Sequence, residues 1–149
     1  MAASESAAGK RVPIRAGLLT GSLSELDSVR LAGSRCTSCE ETSLGVLGVC
    51  PNCGGTTLRE VALNDRGVLW TYTIVRHRPP GDYKGPEPFV PFGLGLVEVP
   101  EGVRVLAPIL GDIDSLKIGL PLRFKPYVRK EGDSREVVAF AFEPLSEGA

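Results

Sequence analysis

"RCTSCEETSLGVLGVCPNCGG", residues 35–55, contains all four cysteines of the chain, in two CxxC pairs that are separated by ten residues. The CxxC spacing lets both sulfur atoms of a pair face one ion, so the two pairs predict a tetrahedral site with four thiolate ligands. These ligands are Cys36, Cys39, Cys50 and Cys53. Because four protein thiolates leave no open position for water, we interpret the site as structural and not catalytic.

Two CxxC pairs at this spacing are typical of zinc ribbons, in which each pair belongs to a tight turn. Gly54 suits the left-handed backbone that such a turn needs after its second cysteine, whereas Glu40 stands at that position of the first turn. Iron is an alternative metal, as in rubredoxin, because four-thiolate tetrahedra accept both ions. Two disulfides or a redox-active dithiol are further alternatives.

The length and composition predict one domain with a small appendage. The chain has 149 residues, 42% of them hydrophobic, which is enough to bury a core. Its net charge of −1, from 17 basic and 18 acidic residues, implies no general attraction to nucleic acid or to anionic lipid. The N-terminal residues lack the apolar run of a signal peptide and no stretch is long enough to span a membrane, so we expect a cytoplasmic protein.

The N-terminal third is predicted to contain a tail and a helix. Residues 1–16 are small and polar and are expected to be disordered. "TGSLSELDSVRLAG", residues 20–33, offers Thr20 or Ser22 as a helix cap and ends at a glycine, so a short helix is expected there. The predicted organisation is therefore a tail over 1–16, a helix and ribbon over 17–60, and a β domain over 61–149.

Five apolar runs follow the ribbon, and each is separated from the next by glycine or proline turns. They are "GVLWTYTIV" (67–75), "FGLGLVEV" (92–99), "VRVLAPIL" (103–110), "LPLRFKPYV" (120–128) and "EVVAFAFEP" (136–144). Five strands without a long amphipathic helix favour a five-stranded OB-fold barrel, with the break at residues 113–118 at the place of its connecting helix or turn. A β-sandwich is the alternative. Gly93 and Gly95 are expected to mark tight coiling where a side chain would collide.

Alternation along the first run places Val68, Trp70, Tyr72 and Ile74 on one face, which we expect to pack in the core. OB-folds also bind single-stranded nucleic acid through stacked aromatic residues, so a nucleic-acid-binding module is an alternative function. A ribbon that holds iron and transfers electrons is another.

The order of these segments resembles the zinc-ribbon/OB-fold acyl-CoA-associated family, domain of unknown function family 35 (DUF35), over residues 18–144. The motifs that carry the resemblance are the ribbon, "GVLWTYT" (67–73), "GLVEVPEGVR" (95–104) and "LKIGLPL" (116–122). It implies a structural zinc ion on the four cysteines. It also implies a non-catalytic subunit that binds a thiolase-fold enzyme and helps to form or gate its acyl-CoA site. The implied reaction is thiolytic cleavage or condensation of a CoA thioester, for example benzoylsuccinyl-CoA to benzoyl-CoA and succinyl-CoA.

The loop "RHRPPGDYKGPEPFVP", residues 76–91, joins the first two runs and is long enough to suggest a function. By analogy with the family, its cations are expected to contact the CoA phosphates, and the nearby aromatic residues the adenine or pantetheine. The expected contacts are Arg76, Arg78, Tyr83, Lys84, Phe89 and Phe92. His77, the only histidine, has no nucleophile identifiable beside it, so the chain alone is not expected to be an enzyme.

Overall fold

The structure, a computed structural model, describes residues 11–132 and 134–145, which form ten β-strands and two short 3-10 turns. The strands are β1 (Arg11–Pro13), β2 (Leu19–Thr20), β3 (Arg30–Cys36), β4 (Thr42–Leu44), β5 (Leu58–Ala62), β6 (Arg66–Val75), β7 (Phe92–Glu98), β8 (Arg104–Ile109), β9 (Pro121–Glu131) and β10 (Arg135–Pro144). The turns are Leu26–Ser28 and Ile113–Ser115. None of these elements is a helix that could cross a lipid bilayer.

The last five strands close into a barrel. β6, β7 and β8 form an antiparallel meander, and β9 pairs antiparallel with both β6 and β10. β10 also pairs in parallel with β8, where Phe142 lies opposite Ile109, and this contact closes the sheet. Numbered from β6, the strand order is 1-2-3-5-4-1, which confirms the predicted OB-fold barrel over the β-sandwich.

The four-cysteine segment belongs to a small antiparallel sheet in which β3 is the central strand. β2, β4 and β5 each pair with β3. β5 crosses the domain boundary that the sequence analysis placed at residue 60, so the passage from this sheet to the barrel lies at residues 63–65.

The helix predicted over residues 20–33 is wrong, because β2, the first 3-10 turn and the start of β3 occupy this segment. Gly21 has a φ of 96°, and a Cβ atom there would collide with the carbonyl group of Ser28. The Ser28 hydroxyl donates to the carbonyl of Glu25 at 2.8 Å and accepts from the amide of Ser22 at 3.0 Å. These side-chain hydrogen bonds compete with the backbone ladder of a helix and stabilise a turn instead.

Part of the predicted N-terminal tail is a strand. Residues 1–10 of that prediction lie outside the described residues, but β1 pairs in parallel with β10 from Arg11 onwards. Arg11 Nε also lies 3.0 Å from Glu136 Oε1 on β10. The prediction of disorder was therefore wrong for the residues of β1.

One hydrophobic core serves both sheets. The fully buried barrel residues Leu69, Leu122 and Phe142 belong to the same cluster as Val29 and Leu31 from the ribbon side. The small sheet is therefore packed onto the barrel, and its burial contributes to the stability of both parts.

A β-bulge at Trp70 changes which side chains of β6 face this core. The register runs from Leu69 opposite Val97 directly to Thr71 opposite Leu96, so Trp70 has no partner on β7. Leu69 is fully buried, whereas Val68 and Trp70 are 40% and 43% exposed. The expectation that Val68 and Trp70 pack in the core was therefore wrong. The bulge interrupts the alternation, so that Val68 and Trp70 face outward while Tyr72 and Ile74, which follow the bulge, pack against the core.

Beyond the bulge, Tyr72 and Ile74 pack against the core as expected. The exposed Trp70 ring is covered by the guanidinium group of Arg104, 3.9 Å from the ring centroid. The expectation for the β7 glycines is confirmed: a Cβ atom at Gly93 or Gly95 would lie 2.5 Å from a leucine methyl group.

Candidate functional site

The four cysteine side chains meet at one point between the two CxxC turns. All four Sγ atoms lie within 4.8 Å of one another, with Cys36 and Cys53 at 3.6 Å and Cys39 and Cys50 at 3.7 Å. A tetrahedron with metal–sulfur bonds of about 2.3 Å has edges of about 3.8 Å, close to these distances. A disulfide bond is only about 2.05 Å long, so the geometry fits a four-thiolate metal site and not two disulfides.

Backbone amides of the turns point at the sulfur atoms. The amides of Ser38, Asn52 and Gly55 each donate to a cysteine Sγ at 3.4 Å. Such hydrogen bonds stabilise negative charge on sulfur, which a metal-bound thiolate carries. The site is thus built to hold thiolates.

The pKa values of the cysteines reflect these hydrogen bonds. The pKa of Cys36 is lowered to about 6, first by the backbone amide of Cys39 and then by that of Ser38. The side-chain amide of Asn52 donates to Cys39 Sγ at 3.4 Å and lowers the pKa of that thiol. The Gly55 amide acts to lower the pKa of Cys53, but hydrogen bonds with the neighbouring thiols outweigh it and raise that pKa to about 11. Sequence analysis missed Asn52 as a ligand-supporting residue.

A second feature, the loop cleft, is formed where residues 79–92 fold over the ends of β8 and β9. Its volume is about 830 Å³. It is lined by Pro79, Pro80, Asp82, Tyr83, Lys84, Gly85, Pro86, Val90, Pro91, Phe92, Pro108, Ile109, Leu110, Tyr127, Val128 and Arg129. This volume is in the range of small-molecule sites, which are concave and mostly apolar.

Three of the six expected CoA contacts line this cleft, namely Tyr83, Lys84 and Phe92. Phe89 is not part of the lining, but its ring packs against two of these residues, with its centroid 5.7 Å from that of Tyr83 and 6.2 Å from that of Phe92. The aromatic residues of the loop therefore form one cluster, as their proximity in sequence allows.

The two expected arginine contacts lie elsewhere. Arg78 Nε lies 2.7 Å from Glu87 Oε2, and its guanidinium group is 5.6 Å from the Tyr83 ring centroid, so Arg78 braces the loop. Arg76 and His77 are exposed just after β6 and do not belong to the cleft lining.

Sequence reasoning also missed the far wall of the cleft. Leu110, Tyr127 and Arg129 come from segments distant in sequence, and only the closure of the barrel brings them opposite the loop. No local motif marks these residues as binding residues.

A closed OB-fold barrel preceded by a four-cysteine ribbon defines the class of this protein. Residues 60–125 match the model of the C-terminal OB-fold domain of ChsH2. A DUF35 domain-containing scaffold protein from Pyrococcus furiosus is 31% identical over 101 residues, which are 65% of this chain and 71% of that protein. The chain belongs to the DUF35 family.

Other family members extend this relationship. A DUF35 domain-containing scaffold protein from Methanocaldococcus jannaschii is 27% identical over 120 residues, which cover 77% of this chain and 82% of that protein. The benzoylsuccinyl-CoA thiolase subunit BbsA of Thauera aromatica is 28% identical over 54% of this chain and 52% of its own length. A chain of the Ltp2-ChsH2(DUF35) aldolase shares the fold with a TM-score of 0.60 and 27% identity, over 77% of this chain and 84% of that one.

Proposed function

We propose that this chain is a non-catalytic subunit that binds a thiolase- or aldolase-type enzyme and helps to form or gate its acyl-CoA site. The observation that carries the proposal is the likeness to a chain of the Ltp2-ChsH2(DUF35) aldolase, which covers 77% of this chain. The names of two relatives, a thiolase subunit and a scaffold protein, point the same way.

The side chains of the described residues support an auxiliary role. Thiolase chemistry needs a cysteine nucleophile and a base, but the four cysteines are gathered in the ribbon cluster. His77 is exposed in the loop and does not line the cleft. The catalytic groups of the complex are therefore assigned to the partner enzyme.

The ion that we propose for the cysteine cluster is zinc, which four thiolates bind as a closed structural site. Asn52 and the turn amides hold the sulfur atoms in place for it. We place the protein in the cytoplasm, because a reducing compartment keeps such thiols available to a metal.

The loop cleft is the proposed point of contact with the CoA thioester. Tyr83, Lys84 and Phe92 contact the ligand from the lining, and Arg76 and Arg78 reach its phosphates from outside the cleft. Arg78 must exchange its partner Glu87 to do so. Benzoylsuccinyl-CoA is the first substrate to test, because of the likeness to BbsA.

The test is to purify the tagged full-length protein gently from its native host and to identify what accompanies it by mass spectrometry. We expect to recover a thiolase-fold or aldolase enzyme in a fixed ratio to the tagged protein. The control for non-specific capture is the same purification with an unrelated tagged OB-fold protein as bait. The two components together should then convert benzoylsuccinyl-CoA or another acyl-CoA. Recovery of nucleic acid, or of no enzyme, would overturn the proposal in favour of an independent binding module.

A further inference from the structure

The loop cleft presents apolar groups to solvent at a concave surface. Val90 from the loop is 55% exposed and Leu110 from the end of β8 is 40% exposed, and both line the cleft. Tyr83 and Phe92 line the same cleft, and their rings are nearly parallel, with centroids 6.2 Å apart. Apolar and aromatic walls of this kind favour an uncharged, extended ligand segment.

The charged groups of the cleft do not favour a phosphate inside it. Lys84 Nζ lies 2.9 Å from Asp82 Oδ2, and Arg129 donates two hydrogen bonds to Glu131, at 2.7 and 3.1 Å. Each of these cations is already paired with a carboxylate, so the positive charge that a phosphate would meet in the cleft is largely neutralised. Asp82 itself lines the cleft and adds a negative charge beside Lys84, whose hydrogen bond lowers the pKa of the Asp82 carboxyl.

The loop wall is organised before any ligand binds. Arg78 and Glu87 brace it, and a Cβ atom at Gly85 would collide with the Tyr83 ring, so the backbone packs directly against that ring. A preformed wall lowers the entropy lost on binding.

We infer that the loop cleft binds the uncharged pantetheine–acyl arm of a CoA thioester and leaves the nucleotide with its phosphates outside. This inference rests on the proposed function, because the acyl-CoA class of the ligand is taken from it. The inference adds Leu110 and Tyr127 to the proposed ligand contacts. It places the pantetheine–acyl arm inside the cleft and the nucleotide outside it.

The test measures calorimetric binding of benzoyl-pantetheine, benzoyl-CoA and adenosine 3′,5′-bisphosphate to the full-length, zinc-loaded protein. We expect benzoyl-pantetheine to bind within about tenfold of benzoyl-CoA and the bisphosphate not to compete with it. Raising the salt from about 50 to about 500 mM should change its Kd less than about twofold, because no ion pair to the ligand is involved. Competition by the bisphosphate, or absence of binding by benzoyl-pantetheine, would overturn the inference.

Two leucines of the β8 segment provide a matched pair of variants. Leu110→Asn should weaken benzoyl-pantetheine binding at least about tenfold, whereas Leu106→Asn, at a 61% exposed position outside the cleft lining, should leave it unchanged. Circular dichroism checks that both variants fold.

Capture of the partner enzyme separates this inference from the proposed function. If benzoyl-pantetheine binds but no enzyme is captured, the inference stands and the proposed function fails. If the Leu110→Asn variant no longer captures the partner enzyme and the unaltered protein binds no thioester, the cleft is a protein-docking groove. In that case the inference fails and the proposed function stands.

Discussion

Glu40 and Gly54 occupy the same position in the two CxxC turns and share a left-handed backbone, with φ values of 68° and 78°. Each amide donates to the carbonyl of the first cysteine of its turn, Glu40 to Cys36 at 3.0 Å and Gly54 to Cys50 at 2.9 Å. Glycine adopts this conformation without a steric cost, whereas a residue with a Cβ atom pays about 1–2 kcal/mol. The first turn therefore contains strain that the second lacks.

Replacing Glu40 by glycine should stabilise the protein. Glycine removes the strain energy from the folded state, but it also increases the conformational entropy of the unfolded chain. Because the first contribution to the free energy is the larger, Glu40→Gly should raise the free energy of unfolding by about 0.5–1 kcal/mol. The ion pair with Arg35, 3.3 Å long, contributes little because the Glu40 side chain is 75% exposed. Guanidinium unfolding of the metal-loaded protein measures the change. Glu41→Gly is the control and should give no gain; equal effects of the two substitutions would contradict the argument.

The bulge in β6 makes adjacent residues respond in opposite ways. Leu69→Ala removes a fully buried side chain and should cost about 2–5 kcal/mol. Trp70→Ala removes a larger side chain from the barrel exterior and should cost less than about 1 kcal/mol, which includes the lost contact with Arg104. Denaturant unfolding measures the free energy of unfolding of both variants. A larger decrease for Trp70→Ala than for Leu69→Ala would show that the tryptophan is in the core.

Gly95 is required by close packing inside the barrel. A Cβ atom there would lie 2.5 Å from Leu69 Cδ1 and 3.1 Å from the Thr71 carbonyl oxygen. Gly95→Ala should consequently destabilise the protein by about 1–3 kcal/mol, as overpacked cores do. Gly48→Ala is the matched control, because a Cβ atom at Gly48 meets nothing within 4 Å. Thermal unfolding should show a lower Tm for Gly95→Ala and an unchanged Tm for Gly48→Ala.

The cysteine cluster should contain one zinc ion per chain. Elemental analysis measures the stoichiometry, and a colourless preparation distinguishes zinc from the iron alternative. Removal of the ion by a chelator should lower the Tm, because metal binding contributes folding free energy. Cys50→Ser should lower the zinc content and the Tm, since Cys50 is buried within the cluster. Asn52→Ala, which keeps all four ligands, should retain the metal with weaker affinity; full zinc content in Cys50→Ser would refute the assignment.

The arginines beside the loop cleft should affect substrate use by the complex. Replacing Arg76 and Arg78 together by alanine should raise the KM of the reconstituted complex for its acyl-CoA several-fold with little change in kcat, because the proposed role of both residues is to contact the CoA phosphates and not the reacting atoms. The control for the loss of two positive charges is the double variant Lys125→Ala/Arg135→Ala, whose positions are exposed on β9 and β10. An unchanged KM would remove both arginines from the ligand site.

Local patterns were sufficient for a large part of this protein. The CxxC spacing predicted the cluster of Cys36, Cys39, Cys50 and Cys53, because the ligands of a turn are separated by only two residues. The apolar runs predicted the five barrel strands, and Gly93 and Gly95 predicted a place of close packing. The signal for each of these features lies in a short stretch of the chain, although the leucines that pack against Gly93 and Gly95 are distant in sequence.

Other features required contacts between distant segments. The turn in place of the predicted helix depends on the Ser22 and Ser28 hydrogen bonds and on the pairing of β2 with β3. The exposure of Trp70 depends on the register between β6 and β7, which alternation along one strand does not encode.

The sequence by itself determined the two CxxC turns and the order of the strands, because these follow from short-range spacing and side-chain polarity. Only the tertiary structure decided where the loop cleft lies. Leu110 and Tyr127 meet Tyr83 there because β10 pairs with both β8 and β9 and so closes the barrel beneath the loop. That closure is set by the packing of the whole sheet around one core, to which every strand of the barrel contributes.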